Sequence, residues 1–273
     1  MKSIYITDLD HTLLRSDQTI SNFSRDVWNS KTKESILSIA TARSFSKSHE
    51  FLKDLRLDAP MILLDGSMIV TPDKELIDLK LIDRELGDAI IHESAKFDIY
   101  PFIIALKDMD LNEAFLFPTL LNHHQNGVLE NYRNDPRMLE CKEMRAMDMN
   151  LKLVYFGDYD KLSLLTKHLK EVFRDRLEYK LSPEKYSDGY FLTLLHPNGD
   201  KAHALKIVAD YMKRELVDIT VFGDSINDIG MFEMAGHSVA VANALDEVKA
   251  KADTILPYTN DEDGVAKYLR GDI

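Results

Sequence analysis

Four short stretches carry residue types suited to chemistry on a phosphoryl group. They are Asp8-Leu9-Asp10-His11-Thr12, Thr41-Ala42-Arg43, Gly199-Asp200-Lys201 and Gly223-Asp224-Ser225-Ile226-Asn227-Asp228. Asp8 and Asp224 offer hard carboxylate oxygens, and Mg²⁺ takes one or two of these together with waters and a substrate phosphate. Two carboxylates brought together repel unless a cation lies between them. Lys201 and the metal would neutralise charge on a transferring phosphoryl group. Thr41 and the N–H groups of its turn can hold phosphate oxygens, and Asn227 adds a neutral donor. A carboxylate can also attack phosphorus and form an aspartyl-phosphate. Asp8 is the expected nucleophile. Asp10 is expected first to protonate the leaving oxygen and then to activate water. An acid working near neutrality needs a pKa above the ordinary value of about 3.9. Neighbouring carboxylates raise it and a metal or Lys201 lowers it, and the sequence leaves that balance open.

Each stretch alone has a plain structural reading: a polar turn, an Asp or Thr helix cap, a solvated lysine. The elements around them argue otherwise. Residues 4–7, 35–40, 61–64, 219–222, 238–241 and 254–256 are short apolar runs that read as buried strands. Helical spacing falls between them, at 21–33, 44–55, 201–214, 226–235 and 247–252, and residues 68–71 and 75–81 read as a hairpin. Alternation of this kind predicts an open α/β sheet, Rossmann-like and parallel, in which ligands sit beyond the carboxyl ends of the strands. The four stretches all fall at such ends or at helix starts. A coincidence of four is improbable, so a functional reading is preferred for Asp8, Asp10, Lys201 and Asp224, and less strongly for Thr41 and Asn227.

The middle of the chain breaks the alternation. Helices at 85–97 and 161–173 accompany strands at 100–105, 114–117, 151–156, 177–181 and 190–195, several of them without a helix between. This predicts an antiparallel α+β domain at 83–198 inserted into a core made of 1–82 and 199–273. The length of 273 residues fits two domains. With 45% hydrophobic and 29% charged residues the composition is that of a globular protein. The single cysteine, Cys141, excludes an internal disulfide and a Cys-rich zinc site, which fits a reducing compartment. A net charge of −12 argues against a nucleic-acid partner but allows a small phosphorylated one, since local cations override the global field. No apolar run approaches the roughly 20 residues that span a bilayer, and the N-terminus meets Asp8 too early for a signal-peptide core. The default expectation is a soluble cytoplasmic protein, monomeric or weakly dimeric, with no membrane partner.

Taken together, the motifs resemble those of the haloacid dehalogenase (HAD) superfamily of phosphohydrolases, most closely its Cof-type subfamily with a large inserted α/β cap of class IIB. DLDHT is similar to the family's DxDGT, IATAR to its Thr-Gly-Arg motif, PNGDKAHAL to its lysine motif and GDSINDIGMF to its metal motif GDxxNDxxM. VAVANA, ending at Asn243-Ala244, also resembles a Cof-type segment. The resemblance spans essentially the whole chain. It implies a Mg²⁺-dependent phosphatase acting on small phosphorylated metabolites, with sugar phosphates as the family-level expectation, through an aspartyl-phosphate. It implies Asp8 as nucleophile and metal ligand, Asp10 as acid/base and metal ligand through its carbonyl, Asp224 as metal ligand and Asp228 in support of the metal. Leu9, Thr41, Ala42, Lys201 and Asn227 would hold the phosphate, and the cap would close over the core, exclude water and select the leaving group.

Three positions depart from the pattern: His11 and Ala42 stand where glycine is usual, and Asp65 where the family has Asn before Gly66. An alanine at 42 would be strained if its turn needed a positive φ. An acid at 65 would disfavour anions or meet sugar hydroxyls. In the insert, His123, His124, Gln125 and Asn126 read as a solvated loop or helix face rather than a substrate contact. Met138, Met144, Met147 and Met149 read as core or interface. Tyr186 and Tyr190 read as packing residues. Two alternatives remain open at this point: a phosphomutase that returns the phosphoryl group to a sugar, and a non-enzymatic phosphoryl sensor, which would need neither Asp10 nor a cap.

Overall fold

The computed structural model describes residues 2–130, 132–183 and 189–273. The strand ahead of Asp8, β1 (Ile4–Thr7), buries Ile4 and Ile6 completely. α1 (Asn22–Lys31) starts where the Ser21 hydroxyl accepts the Ser24 N–H, and buries Trp28. β2 (Ile36–Ile39) and α2 (Phe45–Leu52) follow, then β3 (Met61–Leu63), β4 (Met68–Val70) and β5 (Leu76–Leu79). The middle of the chain forms α3 (Arg84–Ala95), capped by Asp83, then β6 (Phe102–Leu106), β7 (Glu113–Pro118), α4 (His123–Glu130), β8 (Met138–Cys141) and β9 (Met149–Gly157). α5 (Tyr159–Phe173), β10 (Glu178–Pro183) and β11 (Tyr190–Leu195) complete it. The last third holds α6 (Lys201–Met212), β12 (Ile219–Gly223), α7 (Ile229–Met234), β13 (His237–Ala240), α8 (Asp246–Lys249), β14 (Thr254–Ile255) and α9 (Gly264–Arg270).

The chain separates into two compact units, residues 1–79 with 199–273, and residues 80–198. In the first, the sheet order is β14-β13-β12-β1-β2, with every pair parallel. Ala40 extends the row through a parallel bridge to Ile62, and β3, β4 and β5 form a small antiparallel sheet beside it. This is the α/β core expected from the alternation. β1 lies between β2 and β12, so the chain leaves it on one side and returns on the other. That is the switch point at which open parallel sheets bind ligands. The pairings Thr7↔Ile39 and Thr7↔Phe222 bring three strand ends level.

The second unit holds a sheet in the order β10-β11-β9-β6-β7-β8. α3 buries Leu86, Ile90 and Ile91, and α5 buries Leu162, Leu165, Leu169 and Phe173, in one cluster with Ile103, Leu153, Tyr155 and Leu192. The helices thus cover this sheet with the i, i+3, i+4 faces their spacing predicts. The antiparallel expectation holds for all pairs except one. β8 is an extra strand and runs parallel to β7, which is possible because α4 and its flanking loops form the long crossover between them. Asn150 is fully buried and sets a register, its amide donating to the Ile82 and Met147 carbonyls.

Met144 and Met147 join the apolar cluster of this unit, as does Tyr190, whose ring lies 5.1 Å from that of Tyr159. Gln125 departs from the solvated reading. It is buried at the start of α4, where its side-chain oxygen accepts the Asn122 N–H and its amide donates to the Tyr100 carbonyl. Tyr186 lies outside the described residues. No helix among the described residues is long and apolar enough to cross a membrane.

Candidate active site

Asp8 follows β1 directly, and its N–H continues the ladder by donating to the Phe222 carbonyl at 3.0 Å. Asp224 follows β12 on the neighbouring strand, so pairing alone brings the two carboxylates together. Residues 9–13 form one wide turn in which His11 has φ +56°. The family's usual glycine is understandable at this position, since a positive φ strains residues with a Cβ. The turn is anchored from outside. Asn243 Nδ2 donates to the His11 carbonyl at 2.8 Å, and Asn260 Nδ2 to the Leu14 carbonyl at 2.9 Å. Asn243 Oδ1 accepts the Asn260 N–H, so the VAVANA segment is a strut beneath the turn.

Lys201 opens α6, is wholly buried, and its Nζ donates to Asp8 Oδ1 at 2.6 Å and Asp228 Oδ1 at 2.7 Å. Asp228 Oδ2 accepts the N–H groups of Asp224 and Ser225, both at 3.0 Å. Both oxygens of Asp228 are therefore engaged in holding Lys201 and the Asp224 turn. Thr12 Oγ1 donates to Asp224 Oδ1 at 3.1 Å. One oxygen from each of Asp8, Asp224 and Asp228 lies within 4.8 Å of the others, all three residues being buried. Burial holds the Asp8 carboxyl well above its usual range, Lys201 pulls it down, and Asp228, Asp224 and Asp10 push it up again. Burial alone would lower the Lys201 ammonium, but the charges of Asp228 and Asp8 outweigh it and hold it above its ordinary value. Three buried acids against one buried cation leave an excess of negative charge. The donor set, all hard oxygens, fits a divalent ion such as Mg²⁺.

Thr41 follows β2 and the bridge at Ala40, and is buried with its hydroxyl oxygen accepting the Arg43 N–H at 3.1 Å. Ala42 is not among the residues with positive φ, so the missing glycine there introduces no strain of that kind. Leu9 is buried within the turn. Three consecutive residues after β3 have positive φ: Leu64 at +52°, Asp65 at +64° and Gly66 at +118°. A Cβ on Gly66 would lie 2.2 Å from the Asp200 carbonyl oxygen, so only glycine lets this turn press against the start of α6. Asp65 is buried, its N–H donates to the Thr41 carbonyl at 3.0 Å, and its Oδ1 accepts Asn227 Nδ2 at 2.9 Å. The unexpected acid thus ties Asn227 to the Thr41 turn.

The Asp10 carboxylate is gripped from one side. Arg43 Nε donates to its Oδ2 at 2.7 Å and Arg43 Nη2 to its Oδ1 at 2.6 Å. Arg43 and Thr12 carry no role in the motif reading, because their partners Asp10 and Asp224 lie 33 and 212 residues away in the chain. Both lie inside the quoted motifs, so their positions, though not their contacts, were available. The structure brings Asp8, Lys201, Asp224 and Asp228 into one contact network, joins Asn227 to the Thr41 turn through Asp65, and holds the Asp10 carboxylate on Arg43.

The sequence profile of the haloacid dehalogenase-like hydrolases matches residues 5–269. A 5-amino-6-(5-phospho-D-ribitylamino)uracil phosphatase of Bacillus subtilis (strain 168), YwtE, is 31% identical over 98% of this chain and 97% of its own. Among solved structures, a haloacid dehalogenase-like hydrolase from Bacteroides thetaiotaomicron is 22% identical, with a TM-score of 0.81 over the full length of both chains. A HAD subclass IIB sugar phosphatase is 19% identical, with a TM-score of 0.79 over 98% of each chain.

Proposed function

The chain belongs to the haloacid dehalogenase-like hydrolases and is a phosphatase of that family; from this premise we propose that it hydrolyses a phosphomonoester on a primary hydroxyl of a small sugar or polyol, through a phosphorylated Asp8. The observation that carries the reading is the buried Asp8 carboxylate, oriented by Lys201 at 2.6 Å at the switch point of the parallel sheet. The relative's substrate, a phosphorylated ribityl chain on a pyrimidine, supports the polyol class. Residues 80–198 are proposed as the cap.

Lys201 holds Oδ1 of Asp8, so Oδ2 is the oxygen proposed to attack phosphorus. The N–H groups of the turn after Asp8, the Thr41 turn and Asn227 are proposed to hold the phosphoryl oxygens. As the bond from Asp8 to phosphorus forms and the ester bond breaks, Asp10 gives its proton to the departing oxygen. Asp10 then takes a proton from water as the water oxygen bonds to phosphorus, and the Asp8 carboxylate is regenerated. Asp8 and Asp224 are proposed to hold Mg²⁺ with the Asp10 carbonyl, while Asp228 supports them. When bound, the ion neutralises charge on the phosphoryl oxygens.

The test is release of inorganic phosphate from a panel of sugar phosphates, polyol phosphates and 5-amino-6-(5-phospho-D-ribitylamino)uracil. Turnover is expected with Mg²⁺, loss with EDTA, and loss in Asp8→Asn with its melting curve retained. Asp8→Asn activity within a few-fold of wild type would refute the covalent role. Product that kept the phosphoryl group on another carbon would favour a mutase, and stoichiometric phosphorylation without turnover a sensor.

A further inference from the structure

Deepening that reading and resting on it, we propose that Arg43 is the positioning residue for Asp10, keeping one carboxylate oxygen in its grip while the other is released to move the proton. Arg43 makes a side-on fork, Nε to Oδ2 at 2.7 Å and Nη2 to Oδ1 at 2.6 Å. A fork of this kind fixes the plane of the carboxylate as well as its place. Arg43 is itself held: its guanidinium lies 4.4 Å from the centre of the Phe51 ring, and Nη2 also donates to Gln18 Oε1 at 3.1 Å. The backbone beneath Asp10 is held too, by Asn243 on the His11 carbonyl and by the Leu14 N–H on the Leu9 carbonyl at 2.8 Å.

With the arginine and the backbone both pinned, the movable part is the Asp10 side chain. While both oxygens accept from Arg43 the carboxylate is aimed at the guanidinium, and turning one oxygen away is what brings it to a reacting oxygen. Releasing one leaves Asp10 pivoting on the other and confines the freed oxygen to a short arc. The freed oxygen takes up a proton from water, and in the first step that proton passes to the ester oxygen as the Asp8–phosphorus bond forms and the ester bond breaks. In the second, the same oxygen takes a proton from the water that displaces Asp8. A partly exposed ion pair contributes little to stability, so its placement on this carboxylate is better explained by orientation than by folding.

The experiment compares wild type, Arg43→Met, Arg43→Lys, Asp10→Asn and the Arg43→Met/Asp10→Asn double variant, all with Mg²⁺. The substrates are an alkyl phosphate and 2,4-dinitrophenyl phosphate, whose leaving group needs no proton. Arg43→Met is expected to lose roughly 10–100-fold in kcat on the alkyl ester, part of the range general acid–base catalysis supplies, with little change in KM. On the dinitrophenyl ester its pre-steady-state burst keeps the wild-type rate while the steady state falls. Arg43→Lys recovers part of the loss. In the Asp10→Asn background the Arg43→Met change has no further effect. A wild-type rate on the alkyl ester, an equal fall of burst and steady state, a rise confined to KM, or a full effect persisting in Asp10→Asn would each overturn the assignment. Absence of turnover in wild type would instead refute the proposed function.

Discussion

Replacing Lys201 by methionine isolates the charge balance at the centre of the core. The methionine nearly matches the lysine stem in size, so packing around the fully buried side chain is preserved while the ammonium is removed. Asp8 and Asp228 then lose a cation that stood 2.6 and 2.7 Å away. Removing one partner of a buried ion pair destabilises by about 3–5 kcal/mol. At about 2–4 °C per kcal/mol for a unit of this size, the melting transition of metal-free protein should fall by about 6–20 °C at neutral pH. The pH dependence follows from Asp8, whose folded pKa is already raised. A raised carboxyl favours the folded state at low pH, and that contribution is lost as pH rises through the folded value. Without the ammonium the folded value moves higher still. The difference from wild type should therefore be small near the ordinary carboxylate range, about pH 4, and widen toward neutrality. Scanning calorimetry in EDTA across this range reads it directly. A Lys201→Met protein melting with wild type at pH 7 would show that the buried acids do not depend on that charge.

Gly66→Ala should act through Lys201, because its Cβ would stand 2.2 Å from the Asp200 carbonyl oxygen at a φ of +118°. A cost of about 1–3 kcal/mol is expected from the strained backbone, with a fall in kcat larger than the change in KM. Wild-type kinetics and melting would refute this. Asp263→Asn removes the charge and one oxygen of the fork to Arg15, whose Nη2 donates to Oδ2 at 2.7 Å, while Oδ1, which accepts the Ser24 hydroxyl at 3.0 Å, is kept. Burial alone would raise the Asp263 carboxyl, but its bonds to Arg15, Ser21 and Ser24 hold it below its ordinary value. A lowered carboxylate stabilises the fold above its ordinary pKa and loses that contribution as pH falls through the folded value. The variant should lose about 1–2 kcal/mol at pH 7 and converge with wild type in strong acid, read by urea titration. A constant difference at all pH values would show that charge plays no part.

Much of the core was legible because its signals are local. Short apolar strands ending in polar turns identify a parallel sheet. In such a sheet Asp8, Thr41 and Asp224 must stand at the same edge, because β1 pairs with β2 and β12. The insert was less legible. β8 carries no alternating pattern, since Leu139 and Glu140 are exposed and Met138 and Cys141 half-buried, and its parallel pairing depends on a crossover the sequence does not mark. Gln125 looked like surface because its burial is balanced by two hydrogen bonds that only the fold supplies.

By itself the sequence determined which residue types are present and which strand ends carry them, since both follow from order along the chain. Only the tertiary structure decided their pairings. It puts Lys201 between Asp8 and Asp228, turns both oxygens of Asp228 inward, joins Asp65 to Asn227 and closes Arg43 on Asp10. Such contacts span from 4 to 193 residues along the chain. Their geometry depends on side-chain directions and burial, which arise when separate segments pack and which no single segment encodes.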